Sequence, residues 1–87
     1  MLFKIISAQD ALAIELAKID VIRLQYNSDD LSERARHLIC FYPLDSELPV
    51  AEFDITRLTL EQRHELFDQV CRYKVEQAII DSTYIIR

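Results

Sequence analysis

The chain has 87 residues, 51 % of them apolar, with 10 basic and 15 acidic side chains and a net charge of −5. Residues 1–87 are read as a single domain, which at this length buries roughly 60–65 % of its unfolded surface in one modest core. There is no glycine, which excludes a P-loop, a dinucleotide-binding fingerprint and an Asn-Gly hairpin turn, all of which need that residue at fixed positions.

The longest apolar run, Leu38 to Leu44, falls far short of the roughly 18–20 residues of a membrane span. "MLFKIIS" lacks a basic n-region, and Lys4 interrupts its apolar stretch, so it does not read as a signal peptide. The expected compartment is therefore the cytoplasm, with Cys40 and Cys71 as reduced thiols.

In chain order, residues 2–6 read as a short strand. Ser7 has the look of an N-cap with Asp10 three residues on. "AQDALAIELAKI" then reads as a helix with Leu12, Leu16 and Ile19 on one stripe. "DVIRLQYN" alternates, with Ile22, Leu24 and Tyr26 on one face and Val21, Arg23 and Gln25 on the other, as in a half-buried strand. A first helix running on through Tyr26 is the rival reading.

"SDDLSE" is a polar break. A helix capped near Ser28, with Leu31, Ala35, Leu38 and Tyr42 as its stripe, competes with a strand over 34–43. The β-favouring run "LICFY" and the stop at Pro43 favour the strand. Pairing it with 21–26 makes an antiparallel hairpin. "VAEFDI" alternates again. Thr59 and Gln62 have capping-box spacing, and a helix should run to about Ile80. Its expected apolar side holds Leu60, Phe67, Val70, Cys71, Val75 and Ala78; Glu61, Glu65, Asp68, Arg72 and Glu76 lie opposite. "STYIIR" ends the chain as a short strand or apolar tail.

The expected class is α+β, in the order β-α-β-β-β-α with a possible short C-terminal strand. A small antiparallel sheet would carry two helices packed on one face. With one strand discounted, the order becomes that of a ferredoxin-like fold, which implies no function.

His37, Cys40, His64 and Cys71 invite a zinc reading, but H-x2-C … H-x6-C is not a usual ligand spacing. On a helix His64 and Cys71 lie about 10.5 Å apart along the axis, too far to share an ion. On a strand, His37 and Cys40 take opposite faces. No metal or cofactor is expected. A nucleophilic cysteine needs positive surroundings or a helix N-terminus, whereas Cys40 lies in an apolar run and Cys71 in mid-helix. Carboxylate pairs such as Glu52 with Asp54 fall on exposed faces rather than in a cleft. The chain is not expected to be an enzyme.

Residues 43–68 hold seven acids (Asp45, Glu47, Glu52, Asp54, Glu61, Glu65, Asp68) against Arg57 and Arg63, and so carry the whole net charge. If adjacent in space, they form one acidic patch suited to a basic partner. The leading expectation is a non-enzymatic, self-associating protein–protein interaction module that uses this patch. One form would be a small inhibitor occupying the nucleic-acid channel of an enzyme, as acidic phage-encoded inhibitors do. The alternative is a nucleic-acid-binding regulator that dimerises and uses Arg23, Arg34 and Arg36 on the central hairpin, extended by Lys4 and Lys18.

Overall fold

In the computed structural model, which describes residues 2–27, 36–76 and 81–86, six strands form two three-stranded sheets around one α-helix. The strands are β1 (Leu2–Ile6), β2 (Ala11–Glu15), β3 (Ile19–Asn27), β4 (Arg36–Pro43), β5 (Ala51–Asp54) and β6 (Ser82–Ile85); the helix α1 is Leu60–Glu76. The α+β class holds, but three features differ from the sequence reading. There are two sheets rather than one, one of them is mixed rather than antiparallel, and the expected first helix is a strand followed by a 3-10 turn at Leu16–Lys18. The ferredoxin-like order falls with that helix.

The reason is local. The Ser7 N–H donates to the Asp10 carbonyl at 2.8 Å, and the Asp10 N–H donates to Ser7 Oγ at 3.1 Å. The serine that resembled a helix cap instead closes the β1–β2 hairpin, a side-chain-to-backbone alternative that serine offers readily. Beyond it, Leu12, Ile14 and Leu16 lie two apart, and they pack inward beside Phe3 and Ile5. Burial outweighs the helix propensity of Ala, Glu and Lys here.

The first sheet has the order β2-β1-β6, with β6 parallel to β1 and β2 antiparallel to it. The second has the order β3-β4-β5, antiparallel throughout. The hairpin expected between residues 21–26 and 34–43 is present as β3 and β4, in the register Tyr26↔His37 to Val21↔Tyr42. Its loop, with Arg34, lies outside the described residues, as do the expected last helical turn and Ala78. A register shift between Ile19 and Val21 leaves Asp20 as a bulge. The turn after Pro43 needs a positive φ, and Asp45 supplies it at 63° in a chain without glycine.

One core joins the three layers. Phe3, Ile5 and Ile14 from the first sheet meet Ile39, Phe41 and Phe53 from the second, and Leu66 and Val70 of α1 are fully buried among them. The Phe3 ring meets Tyr73 edge-on with centroids 5.3 Å apart, fixing the C-terminal half of α1 to β1. No helix among the described residues is long and apolar enough to cross a membrane.

Candidate interaction surface

The helix begins where the sequence places it. Arg63 then ties its first turn to the end of β5, with Nε donating to the Ile55 carbonyl at 3.1 Å and Nη2 to the Thr56 carbonyl at 2.8 Å. The buried side of α1 matches the expected stripe only in part: Val70 is buried and Phe67 partly so. It centres on Leu66 and Val70, with Phe67 and Tyr73 packed alongside. Leu60 and Val75, expected in the core, are 65 % and 80 % exposed. The remaining members Leu60, Cys71 and Val75 are turned toward the rim of the helix, about a quarter to a third of a turn from the buried line at 100° per residue. Glu61, Glu65, Asp68, Arg72 and Glu76 are exposed beyond it.

The acids of residues 43–68 do not form one patch. On β5, Phe53 points into the core, so Glu52 and Asp54 point to the opposite, outer face of the second sheet. Glu61, Glu65 and Asp68 are exposed on α1, which packs on the inner side of that sheet through Leu66 and Val70. Asp45 and Glu47 are exposed in the β4–β5 connection. Strand alternation is what separates groups that are close in sequence.

The outer face of the second sheet also holds the arginines. Arg23 is opposite Cys40, with its Cζ 5.5 Å from the centroid of the Tyr42 ring. Arg36 is exposed on the same face near Asp54. Basic and acidic groups are interleaved there, and Lys4 belongs to the other sheet. Burial works against ionisation of Asp54, but Thr56, through its side chain and its N–H at 2.8 Å, then Arg36 and Arg57, bring the carboxyl below its usual value.

His37 and Cys40 lie on opposite faces. The His37 ring meets Tyr26 on the helix side, centroids 4.8 Å apart. Cys40 is buried on the outer side beneath its neighbours, 3.6 Å from Gln25 Oε1, which also accepts a 3.1 Å bond from the Tyr42 hydroxyl. Burial pushes the Cys40 thiol up, and Glu52 adds to it; burial followed by Asp68 does the same at Cys71. Neither thiol is set up as a nucleophile. Among the described residues no three side chains of His, Cys, Asp or Glu come together as a metal-ligand set.

The surface that sequence reasoning missed lies between the N-terminal half of α1 and β3. Leu24, Tyr26, His37, Leu60 and His64 line a groove of about 190 Å³ there. Leu24 is 40 % and Tyr26 59 % exposed, although both share a face with the core residues Ile39 and Phe41. The sequence signal was the length of β3, nine residues of alternating pattern at a sheet edge.

The geometry defines a small α+β domain with a groove between the N-terminal half of α1 and β3, whose far edge pairs with no other strand among the described residues. No protein-family model matches the chain, and no curated protein or solved structure matches it.

Proposed function

We propose that the protein is a non-enzymatic, self-associating interaction module that docks on a basic partner surface through the outward face of α1. One observation carries this reading. Glu61, Glu65 and Asp68 recur at i, i+4 and i+7 on an exposed helical face, directly beside the exposed Leu60 and Val75. An exposed apolar row flanked by charge is what a partner-binding helix presents, and Arg72 among Glu61, Glu65, Asp68 and Glu76 leaves this face net acidic. The acids would steer a cationic surface toward it, and the apolar row would hold it. A nucleic-acid-binding enzyme, whose channel is basic, is one such partner, and the module would then act as its inhibitor. Direct nucleic-acid binding through Arg23 and Arg36 fits less well, because Glu52 and Asp54 share their face.

The test combines Glu61→Lys, Glu65→Lys and Asp68→Lys in one chain. Basic proteins captured from the native host by the wild type should be lost by the variant, and capture by the wild type should weaken as salt rises. Undiminished capture by a folded triple variant overturns the reading.

A further inference from the structure

We infer that the open edge of β3 pairs antiparallel with the same edge of a second copy, about a two-fold axis at Leu24, to make a continuous six-stranded sheet. The inference deepens the self-association in the proposed function, and it is separable from the docking arm because the pairing uses none of Glu61, Glu65 and Asp68: a chain that stays monomeric leaves capture through those acids to its own test.

Hydrogen-bond direction comes first. The His37 carbonyl accepts from the Ile55 N–H at 2.9 Å and the Phe41 carbonyl from the Val50 N–H at 2.9 Å, so these residues direct their backbone groups toward the β5 side. Antiparallel alternation then directs Leu38, Cys40 and Tyr42 to β3, onto their register partners Gln25, Arg23 and Val21. Ile22, Leu24 and Tyr26 are left with N–H and C=O groups aimed at the open edge. No other backbone group among the described residues pairs with that side. The side chains of these same three residues face the groove under α1.

Self-pairing fits this edge better than the others. The regular part of β3, past the bulge at Asp20, runs from Val21 to Asn27, and Leu24 is its midpoint. A two-fold there overlaps the whole segment with itself. Leu24 meets the partner's Leu24, and Ile22 meets the partner's Tyr26. These are three hydrogen-bonded pairs, with about six bonds between them, and three apolar cross-strand pairs on the groove side. On the outer face Arg23 meets the partner's Gln25. Moving the axis by one residue to Arg23 would set two arginines directly against each other. Charge also selects β3 among the sheet edges. Two copies of a chain of net charge −5 repel, and the β5 edge carries Glu52 and Asp54, whereas Asp20 and Arg23 balance on β3. The edges of β2 and β6 are shorter, at five and four residues.

The experiment is sedimentation equilibrium of the full chain from about 5 to 200 µM, a span that covers the micromolar dissociation of a weak homodimer. The wild type should reach twice the monomer mass. Leu24→Lys, which sets two ammonium groups against each other on the axis, should lower the association constant by about tenfold or more with an unchanged far-ultraviolet spectrum. Leu24→Cys tests the register whether or not the lysine variant folds. An antiparallel hydrogen-bonded pair sets the two Cα atoms about 5.5 Å apart, within disulfide range. Mild oxidation should therefore give a covalent dimer, and Val21→Cys, which does not meet its own copy, should not. A wild type that stays monomeric throughout overturns the inference and leaves the edge to another chain's strand. A folded Leu24→Lys that still dimerises, or a Leu24→Cys that does not cross-link, overturns it too.

Discussion

Thr59 and Gln62 satisfy each other across the first turn of α1. The Thr59 N–H donates to Gln62 Oε1 at 3.0 Å, and the Gln62 N–H donates to Thr59 Oγ1 at 3.1 Å. Two N–H groups that helix geometry leaves without partners are thus paired. The box also fixes where α1 starts, and hence where Leu60 and His64 stand over the β3 groove.

Thr59→Ala should therefore lower unfolding free energy by about 1 kcal/mol, and Thr59→Ser by much less. Urea denaturation followed at 222 nm measures both. Equal losses in the two variants would show that the threonine methyl matters rather than the hydroxyl.

Arg63 should matter more than its place on a helix suggests. Its guanidinium holds two carbonyls of the β5–α1 connection at once. Arg63→Ala should cost about 1.5–3 kcal/mol, the range for bonds to a charged group. Arg63→Lys should recover only part, because an ammonium cannot reproduce the planar fork. Full recovery by lysine in the same urea measurement would reduce the role of Arg63 to its charge.

Elements whose pattern favoured one physical reading were legible in the sequence. The Thr59–Gln62 box identified an element outright, while the alternation of Ile22, Leu24 and Tyr26 and the β-favouring run before Pro43 each outweighed a helical rival. Leu12, Ile14 and Leu16 were not decisive. Leu12 and Leu16 fit a helix at i, i+4, while all three fit a strand at i, i+2, and only packing against Phe3 and Ile5 decides. The buried side of α1 was legible only in part for a related reason. Val70 was on the expected side, but Leu60 and Val75 are as apolar as Leu66, and which of them lies inward depends on where the sheets approach the helix. The acidic patch failed differently, because a count of charges along the chain is blind to strand alternation, which sends Glu52 and Asp54 away from Glu61. The open edge of β3 belongs to topology, which no local pattern states.

Acid should weaken the fold partly through Asp54. Its folded pKa lies below the ordinary carboxylate value of about 3.9. The stabilisation is therefore fully present above that value and is lost as pH falls through the lower folded value. Asp54→Asn should be less stable than the wild type at pH 6, and the difference should shrink toward pH 2 in urea midpoints. A constant difference across that range would mean that the hydrogen bond to the Thr56 N–H, not the charge, is what the carboxylate contributes.

The two thiols should separate kinetically. Cys40 is 2 % exposed beneath Gln25 and Tyr42, while Cys71 is half-buried on the rim of α1. Both are pushed up by burial first and by a neighbouring carboxylate second. Iodoacetamide at pH 7.5 should thus label native Cys71 slowly and Cys40 only through opening of the sheet, so that labelling of Cys40 accelerates in sub-denaturing urea. The same shifts set an alkaline limit. A thiol with a raised folded pKa stabilises the fold fully below its unfolded value of about 8.5. That stabilisation is lost as pH rises through the folded value, because the unfolded chain ionises first. Cys40→Ala should flatten the decline of the urea midpoint above pH 8.5, even though the substitution lowers stability at neutral pH. A decline as steep as in the wild type would assign the alkaline limit to other groups. Tyr84, raised by burial and then by Glu65, is the next in line.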